Sequence, residues 1–484
     1  MAPSELQTKV FSGISWLSLT SGIEIVASIV RIPILARLLQ PHDFGIFAIA
    51  TLLMTSLNTM TKSGFGEAII HRKHDPEPYL NDTWTFGIIR QIALGLLLIL
   101  LAPYAAVFFH EPDVIGVIYL LAFSLFIKGF KNPVLFLFQR DMKFKPYALI
   151  QHSIFWAEFI VTIIAVFLLR NVYALALGSI ASSIVWVVVS YYAHPYRPRP
   201  SFNIQKLRKL YTYGKWITFD RATYFITNNV NTVVLGRLLE STFLGFYTMG
   251  YNISFYAQQI IDRIARPIMF PMYSKIQDEH ERVYGWVKTT FTISIVLAGF
   301  IAAGIYATAD VLVPVVLGDK WNPSIPLLKI LAIAFFMHIP MYSMSQPLFD
   351  GIGRPDINFK LQALKGILLI ATSIYAVMTY GVIGAAYALL TSLMILVPVW
   401  LYYFWQVANR FPFFLTAPVI VGALPIAAAV VAHTVIQTSV TITGLGIWVL
   451  ITIFFCLIAI IFGCVGSRTI HEAMNSTISL MNRR

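Results

Sequence analysis

The sequence predicts an all-α polytopic membrane protein of about fourteen transmembrane helices. Two six-helix lobes form a parallel internal repeat, and two extra helices follow at the C-terminus. Three observations carry this reading. Of the 484 residues, 58% are hydrophobic and only 12% are charged, where soluble globular chains carry about 25%; mean hydropathy is +0.74. Apolar runs of about 20 residues, the length that crosses a bilayer, recur along the whole chain. Finally, the segment Trp16 to Phe47 recurs as Trp216 to Tyr247, at an offset of 200 without a gap. Trp16/Trp216, Leu35/Leu235, Arg37/Arg237, Leu38/Leu238, Leu39/Leu239 and Gly45/Gly245 are identical pairs.

The net charge is +13, but the basic residues are scattered between apolar segments rather than gathered on one domain. That distribution reads as the positive-inside bias of a membrane protein, not a nucleic-acid surface. The two cysteines, Cys456 and Cys464, share the last apolar segment, so neither a disulfide framework nor a metal site is expected. The first apolar run, Phe11 to Leu35, is too long for a signal-peptide core and is expected to stay in the membrane.

The expected spans are 11–36, 44–64, 83–108, 114–138, 146–169, 172–193, 211–236, 243–264, 284–308, 324–349, 358–378, 382–405, 414–436 and 443–465. With the N-terminus in the cytoplasm, 27 of the 35 Lys and Arg residues fall on inner loops and helix ends, Lys365 among them. Four fall outside: Arg37, Arg170, Arg237 and Lys320. This asymmetry favours an even number of spans, with both termini cytoplasmic. The domains expected are an N-lobe (1–194), a Pro-rich cytoplasmic linker (195–210), a C-lobe (211–405), and accessory helices with a cytoplasmic tail (406–484). Six is even, so the lobes insert with the same orientation, related by an axis along the membrane normal. Arg37 and Arg237 sit at outer helix ends and read as structural, with Pro41 and Asp43 starting the second helix.

At 100° per residue, Thr20, Ser21, Glu24, Ser28 and Arg31 share one face of the first helix. Asp220, Tyr224, Thr227, Asn228 and Asn231 do the same on the seventh, at the same phase under the 200 offset. Phe219, Ile226, Val230 and Val233 occupy its opposite face and suit lipid or packing. A charge at mid-bilayer costs about 2.5–3.5 kcal/mol on insertion scales. Glu24 and Asp220 therefore point to a water-filled cavity between the halves, with a helix-packing network as the alternative.

Other polar groups leave their roles open. Arg90 either snorkels or faces a cavity. Glu158, with His152 nearer the cytoplasm, serves a proton relay or pairs with a neighbouring Arg. Lys329 is expected to snorkel, and the lone central His338 reads as a satisfied core residue. Tyr251, Asn252, Gln258 and Gln259 line the lower cavity or bond between helices. No Walker A sequence, dinucleotide fingerprint or HExxH is present, and no soluble segment is long enough to bind ATP.

Five stretches carry a family resemblance. ARLLQPHDFGIFAIA (36–50) and SGFGEAIIHRK (63–73) are followed by RPIMFPMYSKIQDE (266–279), LGDKWNPSIPLLKIL (317–331) and GIGRPDINFK (351–360). Together they resemble the bacterial polysaccharide exporters, O-antigen-type flippases of the multidrug/oligosaccharidyl-lipid/polysaccharide (MOP) superfamily, most closely the colanic acid exporter branch. The resemblance implies two lobes in a V around a central cavity lined by the first and seventh helices. The implied activity is alternating-access transfer of an undecaprenyl-diphosphate-linked oligosaccharide to the periplasmic leaflet of the bacterial inner membrane. A polysaccharide polymerase and a chain-length regulator are the implied partners. Two extra helices, as in related lipid II flippases, form a tail groove or serve packing.

For such a substrate, Arg suits the diphosphate through its fork of donors. Arg31 and Arg221 are the candidates, with Arg90 near the entrance. Tyr224, Asn228, Asn229, Asn231, Tyr251 and Asn252 suit sugar hydroxyls. Glu24, Asp220 and Glu158 are candidates for gating by protons or sodium, and the membrane potential is a third energy source. No cofactor or resident metal is expected. A multidrug or cation antiporter of the same fold is the alternative, with a polyprenol-dependent polymerase or glycosyltransferase less favoured because the outer loop 309–323 is short.

Overall fold

The computed structural model describes residues 22–66, 69, 77–141, 143–408 and 415–435. Among these the secondary structure is helical, with no strand. By length and composition, eight of the described helices can cross a membrane, and the shorter apolar helices Val114–Gly129 and Thr416–Val431 accompany them. The expected span 443–465 and both cysteines lie outside the described residues. The chain divides into two compact units, Met1–Gly245 and Phe246–Arg484.

The first unit opens with α1 (22–38) and α2 (Pro41–Met60). It continues through α3 (Glu77–Phe109), α4 (Val114–Gly129), the short α5 (Leu135–Arg140), α6 (Phe144–Leu169), α7 (Tyr173–Tyr192) and α8 (Ile204–Leu238). Local chemistry sets the corner between α1 and α2. Pro41 takes the first helical turn, where its missing N–H costs nothing. The Gln40 backbone N–H donates to Asp43 Oδ2 at 2.8 Å. The other Asp43 oxygen accepts from the Val172 N–H at 3.1 Å. One carboxylate thus starts α2 and ties the corner to the α6–α7 turn. Leu35, Leu39, Ala165, Val166, Ala174 and Leu175 form the buried cluster beneath it, which is the work of the repeated leucines.

The repeat has a physical reason. At the start of α9 (Ser241–Ile276), the chain crosses the start of α2. A Cβ on Gly45 would overlap the Ser241 carbonyl oxygen, and a Cβ on Gly245 would overlap the Pro41 carbonyl oxygen. Positions 41/241 and 45/245 are related by the 200 offset, so the approach is reciprocal, and only glycine admits it. Glu111 joins the two corners: its Oε2 lies 3.1 Å from His42 Nε2 and accepts from the Ser241 hydroxyl. Arg237 Nη1 donates to the Phe108 carbonyl at 2.9 Å, closing the C-terminal end of α3, where a cation suits the helix dipole.

The Pro-rich stretch is held down as it leaves α7. Asn81, Asp82 and Thr85 lie on one face of α3. Asn81 Oδ1 accepts from the Arg199 N–H and the Tyr196 hydroxyl at 2.9 and 2.8 Å. Asp82, 1% exposed, accepts from the Ser201 hydroxyl and the Asn203 N–H, both at 2.8 Å. Thr85 Oγ1 accepts from the Ser201 N–H at 2.9 Å. Burial, with the Glu77 and Asp82 carboxylates nearby, pushes the Tyr196 phenol above its ordinary range. Asn203 then caps α8 by accepting from the Lys206 N–H at 3.2 Å. The helix therefore begins at Ile204, seven residues before the expected span. Leu207 buries in the cluster of Phe65, Leu80, Val134 and Phe138.

The second unit continues α9 and adds α10 (His280–Leu312), α11 (Ser324–His338), the short α12 (Ser345–Gly351), α13 (Pro355–Tyr380), α14 (Val382–Ala408) and α15 (Thr416–Val435). A π-helical turn, Val313–Leu317, follows α10. A second, Ile339–Met344, links α11 to α12. Gly318, at φ 100°, lets the GDKWNP stretch fold back, and Trp321 there is fully buried against Phe246. α15 packs on α10, where a Cβ on Gly299 would overlap the Gly422 backbone.

Gly45→Ala and Gly245→Ala are each expected to destabilise the protein by about 1–3 kcal/mol through overpacking. Gly304→Ala, with nothing within 4 Å of a Cβ, is the matched control. Thermal unfolding of the purified protein in detergent checks this: the first two lower the midpoint, and the third, an open helix-interior glycine, does not lower it.

Candidate functional site

The polar face read on the first helix points at α6. Ile23, Val26, Ile29 and Val30 are exposed, while Glu24, Ser28 and Arg31 turn inward and are half-buried. Two polar bridges result. Arg31 donates from Nη1 and Nη2 to Glu158 Oε1, each at 3.2 Å. Its Nη2 also reaches Thr162 Oγ1 at 3.4 Å. Two turns away, Glu24 Oε1 lies 3.3 Å from His152 Nδ1. Residues 24 and 31 are seven apart, and 152 and 158 six apart, so the partners stack on facing helices.

The second bridge assigns its own proton. Trp156 Nε1 has only a hydrogen to give, and it donates to His152 Nε2 at 2.8 Å. That nitrogen is therefore the acceptor, so Nδ1 carries the hydrogen and donates to Glu24. The first bridge is incomplete. Arg31 Nε is buried and has no hydrogen-bond partner. Glu158 remains 39% exposed at its side chain while Arg31 is 20% exposed, so the carboxylate is reachable beside a guanidinium with a donor to spare. Of the two roles open for Glu158, a proton relay or a pair with a neighbouring Arg, the structure shows the pair, and the Arg is the phosphate candidate Arg31. The structure also adds His152, Trp156 and Thr162 as partners.

Arg90 has a different setting. Its Nε donates to the Thr61 carbonyl at 2.9 Å and its Nη2 to the Asn58 carbonyl at 2.6 Å. It closes the C-terminal end of α2, where a cation complements the dipole.

On α8, Thr227 and Asn231 are buried, at 2% and 4% exposure, and Asn228 and Asn229 are half-buried. Asn229 Nδ2 donates back to the Phe225 carbonyl at 2.8 Å. Ile226 and Val233 are exposed, whereas Val230 of the same face is buried. The side chains of Asp220, Arg221 and Tyr224 lie outside the described residues, as do Thr20 and Ser21. In the second unit Tyr251 stacks on Phe255 at 4.4 Å between centroids, and Asn252 is exposed.

Two further expectations change. Lys329 does not snorkel: it is buried and pairs with Asp310 Oδ2 at 2.7 Å, because the end of α10 brings a carboxylate to it. His338 is not alone. Lys365, expected at an inner helix end, is buried 3.4 Å from it, because α13 starts at Pro355 and carries residue 365 inward. Among the described residues no group of three or more His, Cys, Asp or Glu side chains is placed to hold a metal ion.

A family model described as "Polysaccharide biosynthesis protein" matches residues 34–326. The chain is 25% identical over 388 residues to the lipopolysaccharide biosynthesis protein WzxC of Escherichia coli K12, covering 78% of this chain and 77% of that one. It is 22% identical over 370 residues to the succinoglycan biosynthesis transport protein ExoT of Rhizobium meliloti, covering 76% and 74%. Among solved structures, the lipid II flippase MurJ in an inward closed conformation superposes with a TM-score of 0.76 at 14% identity, over 94% of this chain and 99% of that one. An outward-facing multidrug MATE transporter of the MOP superfamily gives 0.51 at 16% identity, over 86% and 96%. The two likenesses establish the fold.

Arg31→Met and Glu158→Gln are each expected to lower stability, and the double variant by less than their sum. A coupling of about 0.5–3 kcal/mol is expected, toward the lower end because Glu158 is part-exposed. A double-mutant cycle on unfolding midpoints checks it.

Proposed function

The chain belongs to the polysaccharide biosynthesis protein family, and from that premise we propose that it is a flippase for a lipid-linked oligosaccharide. The substrate class proposed is an undecaprenyl-diphosphate-linked repeat unit, carried from the cytoplasmic to the periplasmic leaflet of a bacterial inner membrane. The residue ranges 1–194 and 211–405 act as two lobes in alternating access, with both termini cytoplasmic. A polymerase and a chain-length regulator take up the product.

The observation that carries this reading is Arg31. A guanidinium on α1, paired with Glu158 and keeping a buried Nε donor unused, is a site waiting for an acceptor. A diphosphate oxygen supplies one, with the bidentate geometry that suits Arg. Phosphate and Glu158 then compete for the same guanidinium. Substrate arrival frees the carboxylate to take up a proton, and substrate departure restores the pair. Arg221 is the second cation proposed for the diphosphate. Arg90 holds the end of α2 beside the entrance. Asn228, Asn229, Asn231 and Tyr224 are the sugar contacts proposed in the first unit, and Tyr251 and Asn252 those proposed in the second.

Glu24, with His152, and Asp220 are the remaining gating groups, driven by protons or sodium. An inside-negative potential adds about 2.3 kcal/mol per charge per 100 mV for an anion moving outward.

Deletion of the gene is expected to stop export and to accumulate a lipid-linked oligosaccharide, identified by mass spectrometry of the lipid extract. Arg31→Ala is expected to cut export at least tenfold at unchanged protein level, and Arg31→Lys to restore only part of it, since an ammonium lacks the fork. Normal export by Arg31→Ala overturns the assignment. Drug sensitivity without loss of polysaccharide in the deletion strain favours the antiporter instead.

A further inference from the structure

Lys365 sits 2% exposed and His338 7% exposed in the second unit. Ten residues of α13 precede Lys365, roughly 15 Å of rise, about half of a hydrocarbon core. Its Nζ lies 3.4 Å from His338 Nε2. Two basic nitrogens this close cannot both be protonated, since a like-charged pair in low dielectric is strongly disfavoured. The hydrogen bond itself requires one donor and one acceptor, which either a charged or a neutral amine can satisfy against a neutral imidazole. The pair therefore carries at most one proton beyond its neutral form.

We propose that Lys365 and His338 form a one-proton site in the membrane interior, loaded and emptied once in each transport cycle. The proposal rests on reading the chain as a transporter, and it adds residues which that reading did not use. Three features of the site support it. Tyr342 provides a π face beneath the pair: Lys365 Nζ stands 4.7 Å from its centroid, and the His338 ring stacks on it at 4.4 Å and 22°. Such a face stabilises the charged form. Next, His338 Nδ1 is buried with no hydrogen-bond partner. A stranded ring nitrogen is costly, so the arrangement is that of one state of a site with another. Last, the π-helical turn Ile339–Met344 begins at the residue after His338, and Ser343 Oγ within it is also buried without a partner. A π turn has an alternative hydrogen-bond register close by, so a change of charge at His338 acts on an element able to respond.

Phe255 of α9 packs edge-on to His338 at 5.5 Å, backed by Phe335. Asp262 lies on the same face of α9 as Phe255, two turns along. α14 has no acidic or basic residue between Val382 and Ala408. α10 carries its charges toward its ends, His280, Glu281, Arg282 and Lys288 at one and Asp310, held by Lys329, at the other. In the step itself one proton leaves Nζ for water and the pair passes from +1 to neutral; no other bond changes.

The test uses full-length protein labelled with [15N]histidine in lipid bilayers. The His338 ring signals are assigned by their loss in His338→Gln. They are expected to change with pH, and Lys365→Met is expected to displace that change along the pH axis. Signals indifferent to both overturn the proposal, whatever the protein carries. In cells, Lys365→Arg keeps the charge but cannot release the proton, so export is expected to fall at least tenfold at normal protein level. Wild-type export by Lys365→Arg overturns the proton cycle. If the deletion strain exports normally, the flippase reading fails while the 15N titration still decides the site.

Discussion

A charge within a bilayer must be matched, and the described interior is arranged around that constraint. Arg31 meets Glu158 and Glu24 meets His152 between α1 and α6. Lys329 meets Asp310 between α11 and α10. Lys365 lies against His338 between α13 and α11, a hydrogen bond between two bases that cancels no charge. In each case the partner comes from a different helix, so the contact fixes helix rotation. The pairs differ in completeness. Lys329 and Asp310 form a short salt bridge near the helix ends. Arg31 and His338 each keep a buried nitrogen without a partner. Incomplete satisfaction in a buried network is unfavourable, and a transport protein that must leave one state for another has a use for it.

The repeat places a second constraint on the first unit. Gly45 admits the carbonyl at 241, and Gly245 admits the carbonyl at 41. Neither copy of the motif can be understood alone, since each supplies the gap that the other fills. Glu111 and Arg237 then tie both corners to the α3–α4 connection. At the opposite end of α3, Asn81, Asp82 and Thr85 hold the Pro-rich segment against the same helix. α3 therefore carries hydrogen-bonded contacts at both ends of the unit.

Much of this was legible in the chain itself. Hydropathy and length place the eight described helices able to cross a membrane, because a bilayer imposes one element type and one length; the expected count of fourteen is not reached among the described residues. The 200-residue offset exposes the repeat, and angular phase puts Glu24, Ser28 and Arg31 on one inward face. The family motifs mark structural corners: Gly318 for its positive φ, Trp321 for its burial, Pro41 and Asp43 for the start of α2.

What the sequence leaves open is who meets whom. Helical phase gives the direction of a side chain, but a pair forms only when two helices lie at the right height and rotation. That is a property of packing among segments more than a hundred residues apart, as Arg31 and Glu158 are. The same reason hid Lys365, which looks like one more basic residue at a helix end until α13 carries it inward to His338. The sequence by itself determined that this is a repeated, polytopic helical membrane protein with polar stripes inside. Only the tertiary structure decided which charges cancel, which glycines touch and which nitrogens are left waiting, because those depend on distances that no local pattern encodes.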